Sequence, residues 1–176
     1  MIGAQRRIAT AVALSATLVA ALPASAAGPA EHARGDWVFA VGPDFGAGMG
    51  RAWRASFATV EYRGPAPLTS VWGTSLYPVW SVSANRRGAA LVTFGVHANL
   101  SLGAVEVTPH FGVGLYSGGQ GIGGKELLQF RSGIDAFVPL SETTAIGLGI
   151  VHVSNARITD RSANLDILRL SVRQRF

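Results

Sequence analysis

Apolar and polar side chains alternate along most of the chain after residue 35, and short clusters of Gly, Pro, Asn and Ser break the alternation. A period of two residues is typical of β-strands whose two faces meet different surroundings. The pattern predicts eight strands in one domain, with no linker and no helical repeat. They cover residues 35–42, 49–59, 68–83, 87–99, 104–116, 125–138, 143–154 and 164–176.

The two faces differ in size and polarity. In 143–154, the even positions carry bulky side chains such as Leu148 and Ile150, whereas Gly147 and Gly149 lie between them. In a narrow barrel the small face fits the lumen and the bulky face meets lipid. Segment 104–116 repeats the pattern, with Phe111, Val113 and Leu115 on one face and Gly112 and Gly114 on the other.

The last predicted strand separates apolar from basic side chains. Leu168, Leu170 and Val172 share a face with the terminal Phe176, and the opposite face carries Arg169, Ser171, Arg173 and Arg175. These arginines fit the polar lumen of a barrel. In a soluble sandwich they would face solvent, and a second sheet would have to cover the apolar face of the strand. Because bacterial outer-membrane barrels have an even number of strands, we predict an all-β fold: an eight-stranded antiparallel transmembrane outer-membrane β-barrel.

The N-terminus has the layout of a secretory signal peptide. Arg6 and Arg7 precede an apolar stretch, and the small residues Ala24-Ser25-Ala26 form a cleavage signal. We therefore assign 1–26 to a signal peptide and 27–176 to a single β-barrel domain, exported to the outer membrane of a Gram-negative bacterium. The alternative, an uncleaved anchor, lacks a basic stop-transfer flank.

The composition narrows the classes of partner and chemistry. The chain has no Cys, so it has neither disulfides nor thiolate chemistry. Its charge is only mildly positive, without the clustered basic patch of a nucleic-acid binder. We expect a membrane-embedded protein with no nucleic-acid partner, compatible with an anionic lipid, and leave a homodimer open.

The direction of the chain sorts the loops into two sets. If the N-terminus starts in the periplasm, the turns near 60–67, 99–104 and 139–142 are periplasmic. The loops near 42–49, 84–87, 117–125 and 155–163 are then extracellular. These loops carry the basic residues Arg86, Arg87, Lys125, Arg157 and Arg161. They either pair with lipopolysaccharide phosphates or are ordinary solvated loop charges.

Three residues suggest chemistry at the outer end of the barrel. His152 and Ser154 share a strand face, and Asp166 has the lipid-facing parity of the next strand. If 152 and 166 are cross-strand partners, their side chains start about 5 Å apart. Serine needs an adjacent base to act as a nucleophile, and an acid orients the base. The alternative is that these are unrelated polar residues, since polar and aromatic side chains gather at membrane interfaces.

An oxyanion hole would need hydrogen-bond donors beside this serine. The candidates are Asn155, Ala156, Ser162 and Asn164. We expect no cofactor and no metal, because His97, His110 and His152 lie on different strands. Gly119 to Lys125 fits the phosphate-loop pattern, but Glu126 replaces the hydroxyl residue and a strand follows. We interpret it as an extracellular loop.

The segment His152-Val153-Ser154-Asn155-Ala156 resembles the H-x-S-N-A motif of the lipid A 3-O-deacylase family. That family places a catalytic Glu twelve residues after the serine, where this chain has Asp166. The Gly-rich segment 108–118 also looks like the family's fifth strand. The resemblance implies an eight-stranded barrel with a lipid-facing site, in which His152 is the base, Ser154 the nucleophile and Asp166 the acid.

The resemblance also implies hydrolysis of the 3-O-linked ester of lipid A in lipopolysaccharide, releasing a 3-hydroxy fatty acid. Three positions depart from the family pattern: Asp166 replaces Glu, Ser162 stands where Asn is usual, and Arg157 where Gly is frequent. Two other functions stay open. One is a non-enzymatic small barrel, such as an adhesin or a structural protein, and the other is a lipid A acyltransferase.

Overall fold

The computed structural model describes residues 35–45, 55–118, 127–156, 158 and 164–176. The strands are β1 Asp36–Asp44, β2 Ala55–Arg63, β3 Thr69–Val71, β4 Thr74–Asn85, β5 Ala90–His97, β6 Leu100–Leu102, β7 Val105–Ser117, β8 Leu128–Pro139, β9 Thr144–Ser154 and β10 Leu165–Arg175. The predicted signal peptide, 1–26, lies outside the described residues.

The sheet closes on itself. The eight long strands pair antiparallel in the order β1, β2, β4, β5, β7, β8, β9, β10, and β10 pairs again with β1. The three-residue strands β3 and β6 only extend hairpins with β4 and β7. The predicted eight-stranded antiparallel barrel is therefore confirmed.

Two predicted strands differ most from the observed ones. The second strand continues to Arg63 rather than ending at residue 59, because Glu61 and Arg63 face a polar lumen in which charges have partners. The predicted strand 68–83 is interrupted by a turn at Trp72 and Gly73, whose φ angles are 50° and 78°. Two consecutive positive φ angles are typical of a tight two-residue hairpin.

The outer face of the barrel is an apolar belt. Alternate residues of the long strands are exposed and apolar, as the parity of 143–154 predicts. The belt includes Phe39, Val41, Val60, Val82, Val92, Phe111, Val113, Leu115, Ile146, Leu148, Ile150, Leu168, Leu170 and Val172. A continuous apolar surface of this kind suits lipid rather than water. The described residues include no helix with the length and hydropathy to span a bilayer.

Aromatic rings gather on the outer face near the start of β1 and the end of β10. Tyr62 contacts Trp37, Trp80 and Phe176, with ring centroids 5.2 to 6.2 Å apart, and Trp80 contacts Phe94 at 5.5 Å. Amphipathic rings favour the boundary between lipid and water. We call this end of the barrel the terminal end, and the opposite end the loop end.

Side chains fill the lumen. In its middle, Glu61 and Asp135 form salt bridges with three arginines, Arg63, Arg131 and Arg169. All five side chains are at most 4% exposed. Near the loop end the lumen is apolar instead, with a cluster formed by Phe57, Ala89, Leu91, Tyr116, Val151, Val153, Leu165 and Ile167. An eight-stranded barrel packed in this way leaves no room for a wide pore.

Candidate active site

The side chains of His152 and Asp166 form a hydrogen bond on the outer wall. They are direct cross-strand partners on β9 and β10, which is the pairing on which the sequence argument depended. The His152 Nδ1 lies 2.6 Å from Asp166 Oδ1, with the side chains 45% and 19% exposed. Asp166 therefore reaches the imidazole although it is one methylene shorter than Glu. With Nδ1–H donating to the carboxylate, Nε2 is the nitrogen that can accept a proton.

The backbone explains why this pair is so close. Asp166 directs its C=O and N–H towards β1, where they bond the Phe45 N–H at 2.9 Å and the Asp44 side chain at 3.3 Å. The pair of Asp166 with His152 is therefore of the non-hydrogen-bonded type, in which facing side chains approach most closely.

Ser154 lies two residues beyond His152, at the end of β9 and half-buried. The spacing of a strand puts the two residues on the same face, about 7 Å apart along the backbone. Among the described residues, no hydrogen bond joins the Ser154 hydroxyl to the imidazole. Such contacts are often long or poorly aligned without substrate and tighten when it binds.

The wall behind the three residues is firmly packed. On the lumen side, Val153 and Leu165 are fully buried, and Val151 and Ile167 are 3% and 6% exposed. These four alternate along β9 and β10 with the outward-facing residues and belong to the apolar cluster near the loop end. Tight packing of this kind restricts the backbone that carries the site.

Strand β8 adds neighbours that the sequence analysis did not identify. Ser132 is the cross-strand partner of His152, and Phe130 is the partner of Ser154. Phe130 also stacks on Phe111 of β7, with centroids 6.2 Å apart. The parity of 125–138 already gave these residues an outward face, but only the register of β8 against β9 places them beside the site.

The predicted oxyanion candidates differ in their surroundings. Asn155 is 2% exposed, and its C=O accepts a hydrogen bond from the Ile158 N–H at 3.0 Å, which closes a tight turn. Ala156 and Asn164 adopt positive φ angles of 51° and 44°, so the chain bends sharply on both sides of the loop. Ser162 lies outside the described residues.

The other residues singled out in the sequence are the histidines of the lumen and the basic residues of the loops, and some of them lie outside the described residues. His97 and His110 are buried in the lumen, as expected. Arg86 and Arg87 are exposed at the loop end. Lys125, Arg157, Arg161 and the segment 119–125 lie outside the described residues. Within the described ranges, no group of three or more His, Asp or Glu residues is arranged to hold a metal.

Comparisons with known proteins identify the family. The crystal structure of the outer membrane enzyme PagL superposes with a TM-score of 0.59 at 15% identity, covering 79% of this chain and 98% of that one. A structure from the de novo design of transmembrane β-barrels gives 0.54 at 9% identity, covering 82% and 96%. No curated protein sequence matches significantly. The family model of lipid A 3-O-deacylase (PagL) matches residues 36–175, and the chain therefore belongs to that family.

Proposed function

We propose that this barrel hydrolyses the 3-O-linked 3-hydroxyacyl ester of lipid A, with Ser154 as nucleophile, His152 as base and Asp166 as the orienting acid. The observation that carries the proposal is the 2.6 Å pair between His152 and Asp166, which lies beside Ser154 on a lipid-facing wall. Ionisable side chains on an apolar belt are costly in lipid without a function. Family membership supports the same reaction.

The proposed reaction proceeds in two steps. His152 Nε2 accepts the Ser154 proton while Oγ attacks the ester carbonyl, and the collapsing tetrahedral intermediate releases the sugar oxygen, which takes the proton from His152. A water then loses a proton to His152 and attacks the acyl-serine. The products are the 3-hydroxy fatty acid and free Ser154. Asp166 stabilises the imidazolium in both steps.

Negative charge develops on the carbonyl oxygen during each attack, and donors aimed at that oxygen lower the barrier. We assign this role to the segments next to the nucleophile, where the turn Asn155–Ile158 and the bend at Asn164 flank Ser154. Ser162 is a further candidate by its place in the same loop. Ala156 contributes only its backbone, because its side chain has no polar atom.

The position of the site suits a substrate that is already in the membrane. All three residues face outwards near the loop end, among exposed apolar side chains such as Leu168 and Phe111. We propose that this end lies in the outer leaflet of the outer membrane, after export through a cleaved signal peptide at 1–26. Lipid A then reaches the site by lateral diffusion, with its acyl chain along the apolar wall and without being extracted from the bilayer.

Lipid A from cells that produce the protein tests this proposal. We expect mass spectrometry to show the loss of one 3-hydroxyacyl chain with the wild type, and unchanged lipid A with His152→Ala at equal amounts of folded barrel. Unchanged lipid A with the folded wild type would refute the hydrolase. A gain of acyl mass would indicate an acyltransferase instead.

A further inference from the structure

Asp44 is a buried carboxylate on the opposite side of the wall from the proposed active site. It ends β1, faces the lumen and is completely inaccessible to solvent. Its Oδ1 accepts a hydrogen bond from the backbone N–H of Asp166 at 3.3 Å. The neighbouring Phe45 N–H donates to the C=O of Asp166 at 2.9 Å. The end of β1 thus holds both backbone polar groups of the proposed catalytic acid.

This attachment is the last one between β1 and β10 at the loop end of their described segments. The pairing of β1 with β10 runs up to Val41 and Leu170, is interrupted, and resumes at Asp44 and Ile167. Between them lie Gly42 and Pro43, and Pro43 has no N–H to donate. Beyond Asp166 the chain bends at Asn164, where φ is positive. Without the Asp44 carboxylate, Asp166 would lose one of the two hydrogen bonds that join its backbone to the end of β1.

We infer that Asp44 is a positioning residue for the proposed hydrolysis. By bonding the Asp166 N–H, its carboxylate fixes the backbone from which the Asp166 side chain reaches His152. A small shift of the strand end lengthens the 2.6 Å contact, and a misplacement of about 1 Å in a catalytic group can cost about 10²-fold in rate. The inference rests on the proposed function, because it concerns the same reaction.

A double-mutant cycle separates this role from a general loss of structure. Asp166→Asn removes the charge that orients His152, and we expect it to lower kcat on lipid A about 10⁴-fold. Asp44→Ala should lower kcat about tenfold with little change in KM, since it leaves the outer face unaltered. In the Asp166→Asn background, Asp44→Ala should change kcat less than about twofold. Asp44→Asn, which keeps an oxygen acceptor, should recover most of the loss.

Thr59→Ala is the matched control, because it removes another buried lumen hydrogen bond, the 2.8 Å contact to Ser83 on β4, away from β10. We expect it to keep full activity. Heat-modifiable migration on gels reports the folded fraction, and Asp44→Ser replaces Asp44→Ala in the cycle if the alanine variant does not assemble.

The outcomes distinguish the two proposals. An inactive, folded wild type would refute the hydrolase itself. An active wild type with equal kcat losses from Asp44→Ala in both backgrounds would refute only the positioning role, as would a fully active Asp44→Ala. A loss that depends on an intact Asp166 supports it.

Discussion

Replacing Ser154 with Ala is expected to reduce lipid A hydrolysis about 10⁵-fold or more, to the residual rate that substrate binding and the oxyanion donors support. The hydroxyl is the atom that forms the acyl intermediate, so its removal eliminates the reaction path rather than weakening a contact. The protein should still fold, because Ser154 is half-buried at the end of β9 and is not a member of the apolar cluster in the lumen. Release of 3-hydroxy fatty acid by the purified barrel in micelles with lipid A measures the effect.

Ser132→Ala is the control that makes this result decisive. Ser132 is the cross-strand partner of His152, so it is the second hydroxyl on the outer wall beside the imidazole. We expect Ser132→Ala to keep activity within about tenfold of the wild type, as for a neighbouring polar contact rather than a nucleophile. If Ser154→Ala stays active and Ser132→Ala does not, the nucleophile has been assigned to the wrong strand.

Asp135→Asn should have the largest effect on stability. The Asp135 carboxylate binds Arg63 at 2.8 Å and both the Nε and the terminal nitrogen of Arg169, all inside the closed lumen. Among the described residues, neutralising it leaves the charges of Arg63, Arg131 and Arg169 with Glu61 as their one carboxylate partner. Removing one partner of a buried ion pair costs about 3–5 kcal/mol. We therefore expect a much lower urea midpoint for the barrel, measured by heat-modifiable migration.

Glu142→Gln serves as its control. Glu142 is an exposed carboxylate in the turn between β8 and β9, where solvent screens its charge. Its substitution should change the free energy of unfolding by about 0.5 kcal/mol or less. Equal midpoints for Asp135→Asn and the wild type would show that the lumen network does not hold the barrel together.

The sequence predicted the barrel because its two faces differ so consistently. Gly147 and Gly149 between Leu148 and Ile150 indicate a narrow lumen and a lipid face without any knowledge of the pairing. The same parity placed His152, Ser154 and Asp166 on one face, and the pairing of 152 with 166 that the sequence analysis considered is the one observed. Local periodicity and a short loop leave few alternatives for adjacent strands.

Other features depend on contacts that the sequence pattern does not contain. The tight turn at Trp72 could not be predicted from the sequence. A large aromatic residue rarely adopts a positive φ, and the alternation of side chains continues across the turn. Ser132 and Asp44 approach the site only through the pairings of β8 and β1 with β9 and β10. Asp44 comes from a strand more than a hundred residues earlier, so only closure of the barrel brings it to Asp166.

Covalent capture of the nucleophile tests the central claim most directly. A long-chain alkyl fluorophosphonate added to the folded barrel in micelles reacts with a serine that an adjacent base activates. Peptide mass spectrometry should locate the adduct on Ser154, and His152→Ala should abolish it while the barrel remains folded. An adduct on another residue, or labelling of Ser154 that is unaffected by the loss of His152, would contradict the account.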